Sequence, residues 1–64
     1  MTYHDCPRCG EKNGLRFLRP IGMSVFAIDP SLKQIQEARR HHYQMIRPTC
    51  LGCLKQVPVI LTRD

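Results

Sequence analysis

Two short cysteine pairs carry the clearest chemistry in this chain: Cys6-Pro7-Arg8-Cys9-Gly10 near one end and Cys50-Leu51-Gly52-Cys53 near the other. Each Cys-x-x-Cys offers two thiolates from one tight turn, and two such pairs complete a tetrahedron around one metal ion. With Cys6, Cys9, Cys50 and Cys53 filling all four positions, no place is left for water or substrate, which is the arrangement of a structural site. Pro7 fixes one torsion inside the first turn. Gly10 suits a positive φ that folds backbone N–H groups back toward the sulfurs. Gly52 is expected to give the second pair similar freedom, although it precedes the last cysteine.

The first pair carries the whole Cys-Pro-x-Cys-Gly signature and the second only Cys-x-x-Cys. In this the chain resembles the zinc ribbon superfamily, with its rubredoxin-like knuckles, over roughly the first 20 and last 20 residues. The resemblance implies one structural Zn2+ on the four cysteines and a fold of antiparallel β-hairpins. Zinc ribbons recur in polymerase subunits, transcription factors and ribosomal proteins, so it also implies a role in transcription, translation or nucleic-acid handling. Other uses of the cysteines rank lower. Rubredoxin-type iron takes the same pairs, but nothing else in this basic chain speaks of electron transfer. A disulfide framework needs an oxidising compartment, and Met1-Thr2-Tyr3-His4-Asp5 has no basic and then apolar leader. A redox pair, which Cys-Pro-Arg-Cys resembles in glutaredoxins, needs a helix starting at its first cysteine. Gly10, Asn13 and Gly14 spell a turn instead. With four thiolates available, neither His4 nor His42 is required as a ligand.

The 64 residues are expected to form one zinc-ribbon domain, residues 1–64. A chain this short hides only about 60% of the surface its unfolded form exposes, so its core is thin. A structural zinc site contributes an apparent ~10–16 kcal/mol, enough to decide whether such a chain folds. No apolar run approaches the ~20 residues needed to span a bilayer. The expectation is a soluble, cytoplasmic protein with no membrane partner.

No catalytic constellation emerges. Ser24 and Ser31 lack a partnered base, and Asp5, Glu11, Asp29, Glu37 and Asp64 form no evident pair. A Gly-rich phosphate loop is missing, and a closed four-thiolate site has no open position for Lewis-acid work. The chain is expected not to be an enzyme and to take no small-molecule substrate.

The elements that must position the cysteines read as small α+β: antiparallel β-hairpins plus one inserted amphipathic helix. Residues 2–5 and 15–19 are expected strands, joined through the Glu11-Lys12-Asn13-Gly14 turn. Pro20-Ile21-Gly22 is a second turn. Residues 23–28 read as a strand apolar on both faces except at Ser24, hence central in the sheet. Asp29 is expected to cap, and Pro30 to open, a helix over about residues 31–46. Its apolar arc holds Leu32, Ile35, Ala38, His42, Met45 and Ile46, with His42 half-buried, and Pro48 stops it. Residues 54–62 close the sheet, and Pro58 marks that strand as an edge or a bulge. The 40 residues from Gly10 to Thr49 exceed what a compact ribbon needs, and the helix accounts for the excess.

Ten Lys and Arg against five Asp and Glu give a net charge of +5. That favours nucleic acid first and an acidic protein surface second as the partner. Arg8, Lys12, Arg16 and Arg19 flank the first knuckle, while Arg39, Arg40 and Arg47 gather near the second. One continuous basic face is expected if both knuckles meet at one metal. Phe17 and Phe26 read as core, and Tyr3 or Tyr43 as surfaces on which a base could stack. The leading reading is a zinc-binding module that binds nucleic acid or a transcription or translation assembly. The alternative is an adaptor that docks on a larger complex through its helix, where Lys33, Gln36 and Arg40 are expected to face solvent.

Overall fold

The computed structural model describes residues 1–63. Five strands and one helix follow in the order β1 (Thr2–His4), β2 (Leu15–Phe17), β3 (Met23–Ile28), α1 (Leu32–Arg40), β4 (Gln44–Ile46) and β5 (Val59–Arg63). β1 and β2 form a two-stranded antiparallel ribbon; the other three form a sheet in the order β3-β5-β4, also antiparallel. This is a small α+β fold of antiparallel strands and one helix.

The sheet is organised around β5, where Val59, Ile60 and Leu61 are all fully buried. Three consecutive buried residues require cover on both faces, which only a central strand receives. Pro58 therefore does not make β5 an edge. It lies one residue before the strand, where its missing N–H costs no ladder bond, and its carbonyl accepts from Asp29 N–H at 2.8 Å. β3 has the expected bounds but lies at the edge. Its pairing with β5 slips between Val25 and Ala27. Phe26, at that slip, leaves the core at 40% exposure and packs on Tyr43, with ring centroids 5.4 Å apart.

The helix ends earlier than its apolar pattern implies, at Arg40. His41 is its C-cap and His42 takes a left-handed φ of 58°. Tyr43 N–H then donates to Ala38 C=O at 2.9 Å and His42 N–H to Arg39 C=O at 3.4 Å. These are the paired bonds of a Schellman stop, with histidine where glycine is usual. Gln44, Met45 and Ile46, expected as helix, instead pair with Leu61, Ile60 and Val59. The stop also leaves His42 exposed rather than half-buried.

The helix start differs too. Ser31 caps α1: its Oγ accepts from Gln34 N–H at 3.3 Å, and Gln34 Oε1 accepts from Ser31 N–H at 2.9 Å. Asp29, expected as the cap, has a left-handed φ of 53° and turns to Arg8. Leu32 is 72% exposed, so α1 meets the sheet through Ile35 and Ala38 and not through its first turn.

Two buried clusters make the core. Cys6, Leu15, Cys50 and Val57 form one; Phe17, Val59 and Leu61 form the other; Ile28 packs against both. Among the described residues no helix is long and apolar enough to cross a membrane.

Ser31 and Gln34 satisfy each other's N–H groups, so Ser31→Ala should cost about 1 kcal/mol. The urea midpoint of the metal-loaded chain measures it; an unchanged midpoint would show that the cap does not hold α1.

Candidate metal centre

Each cysteine pair sits at the tip of a hairpin, and the two tips are built alike. In the first, Cys6 N–H donates to Glu11 C=O at 3.1 Å and Gly10 N–H to Cys6 C=O at 2.9 Å. In the second, Cys50 N–H donates to Lys55 C=O at 2.9 Å and Leu54 N–H to Cys50 C=O at 2.9 Å. The residue after the last cysteine is left-handed in both, Gly10 at φ 75° and Leu54 at φ 59°. β1 and β2 carry the first tip. β4 and β5 carry the second, with a Thr49–Gln56 bridge and a Val57 N–H to Pro48 C=O bond closing its base.

Gly52 therefore plays a different part from the one expected. The left-handed position belongs to Leu54, and Gly52 supplies space. A Cβ on it would lie 2.7 Å from Glu11 Cβ and 3.0 Å from Cys9 Sγ. Gly14 is hemmed in similarly, 3.0 Å from Glu11 Cβ and 3.1 Å from Cys50 Sγ, and its carbonyl accepts from Leu51 N–H at 2.9 Å. The two tips thus interlock around Glu11, whose role no sequence signal marked.

The result brings all four predicted ligands together. The Sγ atoms of Cys6, Cys9, Cys50 and Cys53 lie within 4.8 Å of one another, and Cys9 and Cys50 approach to 3.5 Å. Sulfurs at the corners of a tetrahedron with ~2.3 Å bonds to its centre stand about 3.8 Å apart, so this spacing fits a tetrathiolate metal ion. The four cysteines are free of disulfides. Residues 7–9 form a turn, so the helix that a redox pair relies on is missing there. His4 lies outside the quartet and stacks on Phe17, with centroids 5.7 Å apart.

The electrostatics suit thiolates. Backbone N–H groups of Cys53 and Gly52 point at Cys50 Sγ, the latter at 3.3 Å, and lower its pKa from 9.0 to about 7 against the opposing effect of burial. At Cys9 the Glu11 N–H acts to lower the pKa. Desolvation and hydrogen bonds with Cys50, Cys6 and Cys53 outweigh it, and the thiol is pushed up to about 11. Cys50 thus gives up its proton readily while crowding holds the proton of Cys9, a condition that a divalent cation relieves.

Compared with known proteins, the chain matches no family model, no curated protein and no solved structure.

The basic residues are distributed more widely than one face. Arg8 is exposed but engaged within the chain: its Nη2 meets Asp29 Oδ1 at 2.9 Å, its Nε meets Oδ2 at 3.2 Å, and its Nη1 reaches Gln56 C=O at 3.4 Å. The Asp29 hydrogen bond and charge raise the Arg8 pKa, with smaller help from Cys53 and Cys6, and Arg8 in turn lowers that of Asp29. Arg16 stands over the Tyr3 ring at 5.4 Å on the outer face of the β1–β2 ribbon. Lys12 and Arg19 are exposed near it in sequence. Arg40 pairs with Glu37 at 3.0 Å, while Arg39 and Arg47 line one groove beside α1. Tyr43 has His41 stacked on it and Phe26 tilted against it, both at 5.4 Å, leaving Tyr3 as the better surface for a base.

Two substitutions should move stability in opposite directions. Gly52→Ala forces its Cβ into Glu11 and should cost about 1–3 kcal/mol, as overpacking does. Leu54→Gly removes a left-handed strain of about 1–2 kcal/mol, less the ~0.5–1 kcal/mol that glycine costs in chain entropy. Leu54 is 75% exposed, so little packing is lost. A raised denaturation midpoint for Leu54→Gly and a lowered one for Gly52→Ala are expected; equal shifts would refute the space-against-torsion distinction.

Acid should empty the site, because protons compete with the metal for thiolate sulfur. Cys50 is available as thiolate above about 7 and loses that form as pH falls. Metal release on the acid side of neutrality is therefore expected to coincide with loss of circular dichroism. Release that leaves the fold intact would contradict this.

Proposed function

We propose that the metal is a structural zinc and that the chain is a zinc-ribbon binding module, not an enzyme, whose outer β1–β2 face takes single-stranded nucleic acid. The spacing of the four sulfurs supports the metal, and a donor set of thiolates alone favours zinc among divalent ions. Once bound, zinc supplies cross-linking between the two hairpin tips. Cys6, Cys9, Cys50 and Cys53 fill its coordination, so the chain's work falls to its surface.

One observation carries the nucleic-acid reading: Tyr3 and Arg16 are cross-strand partners, both exposed, with the guanidinium over the ring. An exposed aromatic gives a base a stacking surface, and the adjacent cation meets a phosphate. Lys12 and Arg19 lie toward the two ends of β2 and would extend the cationic track. Stacking needs an unpaired base, so single strands should be preferred over duplex. The second reading, docking on a protein, is favoured by the groove beside α1.

Fluorescence anisotropy with labelled oligonucleotides tests the first reading. Affinity should fall steeply with salt, and Arg16→Ala should reduce the slope by about 1. Tyr3→Ala should cost about 1–3 kcal/mol of single-strand binding. Affinity that is flat from low to moderate salt would exclude a phosphate-binding face.

A further inference from the structure

The Schellman stop at His42 swings the chain away from α1 before it joins the sheet as β4, and a groove of about 600 Å³ remains between helix and sheet. Ile35, Ala38, Met45 and Pro58 give it aliphatic walls, and Arg39 and Arg47 also line it. Among the described residues no carboxylate lines the groove. Among the described residues neither arginine belongs to an ion pair, and Arg47 meets only Met45 Sδ at 4.0 Å. The nearby Glu37 is already taken by Arg40 and His41, at 3.0 and 2.8 Å.

We infer that this groove is a docking site for an acidic peptide segment that inserts an apolar side chain between α1 and β4 and sets its carboxylates against Arg39 and Arg47. The argument is one of complementarity. An aliphatic slot of this size takes a leucine or phenylalanine side chain, and desolvating it supplies the affinity. Two uncompensated guanidinium groups favour carboxylates, which they bind in a bidentate fork. A nucleic acid suits the groove less well, because Phe26 and His41 already pack against the Tyr43 ring, and apart from the His42 imidazole and the two arginines the other walls are Ile35, Ala38, Met45 and Pro58. The inference is independent of the Tyr3–Arg16 surface, which lies on the other sheet.

The test uses the full chain loaded with zinc and a fluorescein-labelled peptide carrying leucine and phenylalanine among aspartates and glutamates. Two control peptides replace either the apolar pair by serine or the acids by their amides. The mixed peptide should bind, and each control should bind about tenfold more weakly or worse. The double variant Arg39→Glu/Arg47→Glu should lose binding by a similar factor. Unchanged metal content and circular dichroism would show that the double variant is folded. Amide shifts in nuclear magnetic resonance should gather at Ile35, Ala38 and Met45. Arg16→Ala and Tyr3→Ala should leave peptide affinity unchanged, so failure of the ribbon reading and failure of this one are distinguishable. No binding of the mixed peptide, equal binding of the acid-only peptide, indifference to charge reversal, or shifts elsewhere would each overturn the inference. So would a single-stranded oligonucleotide that displaces the peptide and shifts the groove amides, since the groove would then belong to nucleic acid.

Discussion

Four sulfurs must occupy one small volume although Cys9 and Cys50 are 41 positions apart in the chain. The rest of the fold answers to that requirement. Two hairpins aim their tips at the same point, and the tips can meet only because Gly14 and Gly52 have no side chains where Glu11 lies. The Leu51 N–H to Gly14 C=O bond joins one tip to the other. Arg8 adds a second tie, reaching from the first tip to Asp29 at the end of β3 and to Gln56 behind the second tip. Even the left-handed Asp29 is explicable on this ground, since it turns the chain out of β3 toward Ser31 and leaves its carboxylate beside Arg8.

The metal-binding cluster and the hydrophobic core are not separate structures. Cys6 and Cys50 are buried with Leu15 and Val57, and Ile28 links that cluster to Phe17, Val59 and Leu61. In a chain this small, apolar burial alone leaves little surplus over conformational entropy. A cation drawing the sulfurs together therefore also seats Leu15 and Val57, whereas four thiolates without a cation would put a repulsive centre in the core. Metal loss and unfolding should accordingly be one event. Leu54 is held left-handed where its N–H donates to Cys50 C=O at 2.9 Å, the bond that closes the second tip.

The gathering of the four cysteines was legible from spacing, because Cys-x-x-Cys is a local geometry that needs no knowledge of the sheet. The bounds of β3 and the turns at 11–14 and 20–22 were legible for the same local reason. What depended on tertiary context was not. Gln44-Met45-Ile46 fits an amphipathic helix and a half-buried strand equally well, and the stop between them uses a histidine, which no helix-end rule singles out. Val59, Ile60 and Leu61 were recognisably apolar, yet Pro58 pointed to an edge; only its position just outside the ladder reverses that inference. Ser31 and Asp29 both suit a cap, and the Arg8–Asp29 pair decides between them across 21 residues of chain. Gly52 showed that a glycine can be required by a neighbour instead of by its own φ, a distinction invisible until Glu11 is placed.

The distribution of charge follows from the same geometry. A single basic face was expected because Arg8 and Arg47 both border a knuckle, but their surroundings give them different roles. Arg8 lies where a guanidinium feels both Asp29 and the sulfurs of Cys53 and Cys6, so its charge is used within the fold. Arg47 lies past the helix stop, on the groove, with no carboxylate partner among the described residues. Arg16 is carried to the outer face of the other sheet and covers Tyr3. A net charge of +5 thus becomes two separate cationic surfaces of different character, one built on the exposed Tyr3 ring and one on a groove with Ile35, Ala38, Met45 and Pro58 in its walls. Coulombic attraction alone does not distinguish partners for them, since both draw anions. The discrimination has to come from what lies under the charge: a ring that can stack on a flat base, or a slot that can take a branched side chain.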